Sequence, residues 1–324
     1  MGTDKMPGVE ELDREMEKLL RRRLELSAGP ARGSTGCRRC MEAMAAARQP
    51  VEQPRVVYQG VAGAYSEMAA LSFFGSQARC RGLDSFEDAF QALSRGEADY
   101  GVLPIENSST GAIRQVYELL TQYEHYIVGE DTVKVEHCLM APKGATLDTI
   151  THVYSHEQGL FQSDRFLARH PQWKAVPMGD TAGSAQYVAQ TGDITKAAIC
   201  SERAAQLYGL DILYRGTNHN ASNTTRFVVV SPVMELRPGA DKIAALLTVP
   251  HEAGSLQRIL TIFLLHRLNL LKIESRPMPG KSWEYLFFLE FTGSLTGSGM
   301  EKALEELAQA TSYLRILGNF KNSL

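Results

Sequence analysis

Three stretches of this 324-residue chain place small hydroxyl and amide side chains where an apolar run gives way to a helical period. They are Gly60-Val61-Ala62-Gly63-Ala64-Tyr65-Ser66, Glu106-Asn107-Ser108-Ser109-Thr110-Gly111 and Asp180-Thr181-Ala182-Gly183-Ser184. The first turn of a helix has unpaired N–H groups and a partial positive charge, so each stretch can aim backbone donors and a hydroxyl at an anion. Several such ends facing one cleft would hold a carboxylate-rich ligand. Taken singly, Ser66, Ser109 and Thr181 do no more than cap helices, the commonest use of such residues. Gly60 and Gly63 match neither GxGxxG nor a phosphate loop ending in Gly-Lys-Ser/Thr, so no nucleotide cofactor is expected.

Other reactive side chains are less well placed. Of the eight histidines, His156 is the best candidate for an acid near neutrality, with a helix-start or solvent position as the plainer reading. His219 sits in the polar loop from Asn218 to Asn223, where turn chemistry accounts for it. No metal is expected among them. Cys37-Arg38-Arg39-Cys40 is a CxxC without a second pair, which cannot complete a tetrahedral zinc site, and it lacks the βαβ context of a redox motif.

The elements that must position these residues follow from periodicity. From Arg55, short apolar runs (Val56 to Tyr58, Tyr100 to Ile105, His152 to Tyr154, Ala197 to Cys200) alternate with helical stretches, the pattern of an α/β sheet. Arg226 to Val230 reads as a last strand, and Pro232 to Gly239 as a boundary. From Asp241 the order becomes strand Ile243 to Val249, helix Ser255 to Leu265, strand Asn269 to Glu274, strand Glu284 to Phe291, helix Met300 to Ala308, strand Tyr313 to Leu317. That is βαββαβ, a ferredoxin-like arrangement. Ahead of the sheet, Val9 to Leu26 predicts an amphipathic helix, Ala31 to Gly36 a linker, and Met41 to Arg48 a second short helix. The expected division is therefore a helical segment over 1–53, an α/β unit over 54–233 and a small domain over 240–324.

Composition limits the partners. Apolar content of 44% and charged content of 22% are those of a folded globular chain. A net charge of -3 supplies no basic field for nucleic acid or membranes, which leaves small molecules as the expected partners. The start lacks a secretory signal, and no run approaches the ~20 apolar residues of a membrane span. Five scattered cysteines fit reduced thiols. A cytoplasmic protein is expected.

Five motifs in order carry a family resemblance. Gln59 to Glu67 followed by Ala69-Ala70 resembles the opening motif of the prephenate dehydratases, and Pro104 to Gly111 their second. Ser155-His156-Glu157-Gln158-Gly159-Leu160 is similar to their Ser-His-Pro-Gln block, with Glu157 in place of proline. Asp180-Thr181-Ala182 and Asn223-Thr224-Thr225-Arg226-Phe227 complete the set. The resemblance implies a two-lobed, periplasmic-binding-protein-like α/β catalytic domain whose chain crosses to the second lobe and returns, bringing Thr225 back to the first. It implies conversion of prephenate to phenylpyruvate, water and carbon dioxide in phenylalanine biosynthesis, with the hydroxyl of Thr225 implicated in the dehydration. No residue separates prephenate from arogenate as substrate, and a noncatalytic two-lobed binding protein is the rival from another class.

For a dianionic substrate, Asn107, Ser108, Ser109 and Thr181 are expected to hold the ligand by hydrogen bonds, and Arg226 to fix a carboxylate as a planar donor. Ser66, Glu106, Gln158, Asp180 and Phe227 complete the expected substrate site. A brace between side chains is the plainer reading for Arg226, and a strand position for Thr225. No cofactor and no covalent intermediate are expected. Val249 to Leu256 and Asn269 to Pro277 resemble the two ligand motifs of an ACT domain, which implies phenylalanine as allosteric effector at Gly254, Ser255, Leu256, Glu274, Ser275, Arg276 and Pro277. It also implies a homodimer or homotetramer. The helix from Glu11 to Leu24 resembles part of the first helix of the chorismate mutase module often fused ahead of this family. A bifunctional enzyme is accordingly a further alternative.

Overall fold

A computed structural model describes residues 14–22, 34–278 and 284–323, and among these two units separate. Pro50–Pro232 form the first. Its chain runs through β1 (Arg55–Gln59), β2 (Arg79–Leu83), β3 (Tyr100–Asn107), β4 (Gly111–Ala112) and β5 (Tyr126–Lys134). Next come β6 (Cys138–Ala141), β7 (His152–His156), β8 (Lys174–Met178), β9 (Lys196–Cys200) and β10 (Asp211–Arg215), then a return in β11 (Thr224–Ser231). Two sheets result, in the orders β2-β1-β3-β11-β5, with β4 on β3, and β10-β6-β9-β7-β8. The chain therefore leaves the first lobe after β5 and comes back to insert β11 between β3 and β5, antiparallel to both. This is the crossing and return expected of a two-lobed α/β domain.

Burial follows from this layering. Strand β1 is covered on both faces and reads Val-Val-Tyr without alternation, as central parallel strands do. The first lobe packs Val56, Ala69, Ala70, Tyr100, Val102, Val128 and Phe227 together. In the second lobe, alternate residues of β6 and β9 feed two cores, one containing Cys138, Met140 and Cys200, the other Leu139, Ala141 and Ile199. Between the lobes two segments run side by side. Val135 N donates to Asn223 O (2.8 Å), Thr217 N to His137 O (2.9 Å) and His137 N to Asn218 Oδ1 (3.0 Å).

Helix starts account for much of what faces the cleft. α3 (Tyr65–Phe74) has Ala64 at its N-cap, α4 (Phe86–Ser94) opens with a Ser85–Asp88 capping box, and α8 (Thr181–Thr191) is capped by Asp180, whose Oδ1 accepts from Gly183 N at 2.6 Å. Ser66 and Thr181 are thus inside their first turns and are not the caps. The Glu106–Gly111 stretch is a further correction. It forms the tight turn between β3 and β4, and helix α5 (Arg114–Gln122) starts only afterwards. Asn107 Oδ1 accepts from the backbone N–H groups of Ser109 (2.9 Å) and Thr110 (3.2 Å), a side-chain turn that competes with helix formation at that point.

The second unit holds Val233–Asn322 together with the described residues up to Gln49. β12 (Lys242–Thr248), α10 (Ser255–Leu265), β13 (Leu270–Pro277), β14 (Tyr285–Thr292), α11 (Met300–Ala310) and β15 (Tyr313–Phe320) make the expected βαββαβ, in the antiparallel order β13-β14-β12-β15. The N-terminal helix is described only over residues 14–22, here α1; the rest of the amphipathic stretch and much of the linker lie outside the described residues. Helix α2 (Ser34–Ala45) begins within the run read as a linker. It packs on α11 and β15, and Arg48 reaches the buried carboxylate of Glu235 at 3.3 Å. No helix among the described residues is long and apolar enough to cross a membrane.

Candidate active site

The two sheets of the first unit flank a cleft of about 450 Å³. From the first lobe it is lined by Tyr65 and Ser66 of α3, Asp84 and Ser85 before α4, and Asn107, Thr225 and Phe227. From the second come His156, Gln158 and Gln162 of helix α6 (Glu157–Gln162) and its start, with Asp180 and Thr181 at α8. Of the expected site residues, Ser66, Asn107, Gln158, Asp180, Thr181, Thr225 and Phe227 meet in this one cavity. They come from both lobes and from stretches as far apart in the chain as Ser66 and Phe227.

Strand geometry decides the rest. Successive side chains of a strand point to opposite faces, so Thr225 and Phe227 line the cleft while Arg226 turns away from it. Arg226 is 4% exposed, and its guanidinium is held between Glu130 (3.1 Å) and Glu106 (3.4 Å). Arg226 and Glu106 therefore leave the substrate site and form an internal brace. Ser108 and Ser109 also lie outside the lining: Ser108 Oγ accepts from Thr224 N (3.0 Å), and Ser109 Oγ donates to Asn223 Oδ1 (3.3 Å). They anchor the returning chain.

Three side chains absent from the sequence-based site emerge around Thr225. Asn107 Nδ2 donates to Thr225 Oγ1 at 2.9 Å and to Asn223 Oδ1 at 2.8 Å, and Asn223 Nδ2 donates to Gln162 Oε1 at 3.1 Å. His137, buried, bonds Gln162 Oε1 through Nε2 at 3.0 Å. Gln162 was discoverable, because it follows Gln158 by one helical turn on the same face of α6. Nothing local marks His137.

The imidazole of His137 is buried between Gln162 and the Tyr65 hydroxyl, and burial pushes its pKa down to about 4, with the Gln162 hydrogen bond opposing. It is neutral near pH 7 and donates through Nε2, since the Gln162 oxygen can only accept. Unfolded histidine titrates near 6.5. The unfolded chain thus binds more protons between these values, and stability is lost as pH falls from about 6.5 through about 4. A drop on the order of 3 kcal/mol is expected from this group in urea unfolding at pH 7 and pH 4. His137→Gln should show a drop smaller by that amount.

The cleft's electrostatics are unusual for an anion site. Its lining includes two carboxylates, Asp84 and Asp180, and neither Lys nor Arg. Attraction for an anion must come from neutral donors and from the first turns of α3 and α8, which open into it. Close approach of the lobes is secured beside them: Ser201 Oγ donates to Gly63 O (2.7 Å), Tyr208 OH to Ala62 O (2.7 Å), and Arg203 pairs with Glu67 at 2.8 Å. Gly63 has φ +91, and a Cβ there would stand 3.0 Å from Ala204 Cα. Only glycine fits. Among the described residues no group of three His, Cys, Asp or Glu side chains could hold a metal ion.

Residues 56–235 match the family model for prephenate dehydratase. The chain belongs to the prephenate dehydratase family. It is 37% identical over 271 residues to the bifunctional chorismate mutase/prephenate dehydratase of Escherichia coli K12, covering 82% of this chain and 70% of that one. To arogenate dehydratase 3 of Arabidopsis thaliana it is 39% identical over 290 residues, covering 82% and 66%. The structure of prephenate dehydratase from Arthrobacter aurescens in complex with L-Phe superposes with a TM-score of 0.75 at 29% identity, over 83% of this chain and 90% of that one. A prephenate dehydratase is a carbon–oxygen lyase of aromatic amino acid biosynthesis, so the chemistry to be assigned to the cleft is a dehydration.

Proposed function

We propose that the cleft converts prephenate to phenylpyruvate, water and carbon dioxide with Thr225 as hydrogen-bond donor to the departing hydroxyl. One observation carries this reading: Thr225 Oγ1 accepts from Asn107, and among the described residues its own hydrogen has no acceptor, while its side chain lines the cavity. As the C–O bond breaks, the electron pair of the ring carboxylate's C–C bond enters the ring, carbon dioxide departs and the ring becomes aromatic. Water forms from the leaving hydroxyl and one proton supplied net by solvent. The threonine alcohol is too weak an acid to ionise first, so its contribution is a bond that strengthens as charge develops on oxygen.

Ser66, Thr181, Gln158 and Gln162, with the first turns of α3 and α8, are the proposed carboxylate donors. Arogenate is a second reading. It carries an ammonium in place of the keto group, and a cleft lined by Asp84 and Asp180 without a cationic side chain suits a less negative ligand. Incubation of purified protein with each compound separates the two: prephenate yields phenylpyruvate and arogenate yields phenylalanine. Turnover of neither overturns the proposal.

Regulation by phenylalanine is proposed for the second unit. Gly254, at φ +84, precedes α10, and the Ser255 hydroxyl at its first turn is buried without a hydrogen-bond partner among the described residues. An amino acid bound there would complete it. Glu274, Ser275, Arg276 and Pro277 lie on the edge strand β13, and Leu256 in the first turn of α10. That edge also exposes Leu271 and Ile273, which supports association with a second copy through an ACT-type domain. Saturating phenylalanine is expected to weaken prephenate binding about 5–150-fold. Unchanged kinetics and an unchanged oligomer distribution would remove the regulatory role. Because α2 is used in packing against α11 and β15, we assign the N-terminal helices to scaffolding rather than to mutase catalysis. The free thiols of Cys40, Cys80, Cys138 and Cys200 are consistent with a cytoplasmic setting.

A further inference from the structure

We propose that Asn223 is a positioning residue that, from the junction of the two lobes, fixes the direction of the Thr225 hydroxyl and of the Gln162 amide. The inference rests on the reading of Thr225 above and adds a residue that touches no ligand: Asn223 is fully buried and lies outside the cleft lining.

The polarity of the network can be followed from groups whose role is invariant. Backbone N–H groups of Ser109 and Thr110 can only donate, so the atom of Asn107 they meet is its oxygen. Its two amide hydrogens then go to Asn223 Oδ1 and Thr225 Oγ1. With Oδ1 of Asn223 taken by Asn107 and Ser109, its nitrogen must face Gln162 and finds the oxygen there. The neutral His137 gives its Nε2 hydrogen to that same oxygen. The side-chain oxygens of Asn107, Asn223 and Gln162 are all occupied within the network, so two of its donors are left for the cleft: the Thr225 hydroxyl and the Gln162 NH2. Both suit an anionic ligand with a departing hydroxyl.

Asn223 is where this polarity passes from the first lobe to the second. Asn107 and Thr225 belong to β3 and β11 of the first sheet, Gln162 to helix α6 of the second lobe, and His137 to the crossing segment between β5 and β6. The backbone of Asn223 is held independently, since Val135 N donates to its carbonyl at 2.8 Å and any variant keeps that bond. Removing its side chain takes away the acceptor of one Asn107 amide hydrogen, which loosens that amide about its bonds to Ser109 and Thr110 and with it the direction of the Thr225 hydroxyl. Replacing it with Asp preserves the acceptor for Asn107 but withdraws the donor from Gln162, which would then turn its oxygen to the cleft.

The test is a double-mutant cycle with prephenate as substrate. Asn223→Ala should lower kcat tenfold or more in the otherwise natural protein, on the order of the coupling seen for residues in one hydrogen-bond network, yet by less than about twofold in the Thr225→Val background. Asn223→Asp should keep kcat within about threefold and raise KM instead, a split that loss of packing does not produce. Equal cost of Asn223→Ala in both backgrounds, or parallel loss of kcat in the Ala and Asp variants, would overturn the role of Asn223 alone. Should Thr225→Val itself retain turnover, the assignment of Thr225 falls and this inference with it.

Discussion

Thr225→Val is expected to lower kcat for prephenate by about 10²–10³-fold, with KM changed only a few-fold, the size of effect seen when one preorganised donor to a developing negative charge is removed. Valine matches threonine in shape and in preference for strands, and residue 225 stays paired with Asn107 of β3 and Val133 of β5. The fold should therefore survive, at a cost of about 1–3 kcal/mol for the Asn107 hydrogen that loses its acceptor. Steady-state kinetics beside thermal unfolding separate the two effects. Near-normal turnover in a folded variant would show that no alcohol acts at this position.

Arg226→Met is expected to do the opposite, destabilising the protein by about 3–5 kcal/mol while leaving kcat/KM of the folded fraction close to its natural value. The Glu130 side chain is fully buried, and without the guanidinium its carboxylate keeps the backbone N–H of Ser323 but loses the ion pair with Arg226. Glu106 contributes less because it is partly exposed and screened. Adding Glu130→Leu to Arg226→Met should recover part of the loss, since two apolar side chains of similar volume remove the need to bury a charge. Urea unfolding of the single and double variants measures this. A fall of two orders in kcat/KM at unchanged stability would return Arg226 to the substrate.

These variants sit one residue apart, and the difference between them was partly legible from spacing. Residues 225 and 227 share one face of a strand and 224 and 226 the other, so a strand through Thr225 already argues against Arg226 beside it in the cleft. The charge of Arg226 suggested a carboxylate ligand; two internal carboxylates claim it. Misreading of Glu106–Gly111 has another cause. Asn, Ser and Thr are favoured both at helix starts and in tight turns, because each bonds nearby backbone N–H groups in either setting. Only the pairing of β4 with β3 distinguishes them.

Sequence alone determined what depends on neighbours along the chain: the alternating strands and helices of the first unit, the βαββαβ order of the second, helix starts within the Gly60–Ser66 and Asp180–Ser184 stretches, and the family motifs that single out Thr225. Tertiary structure decided which of those residues meet. Insertion of β11 between β3 and β5 sets Thr225 against Asn107, and passage of two segments between lobes brings Asn223, Gln162 and His137 into one hydrogen-bonded chain. Such contacts join positions up to 118 apart. Propensity and periodicity act over a few residues and cannot encode them; they exist because closing the sheets leaves each buried polar atom in need of a partner.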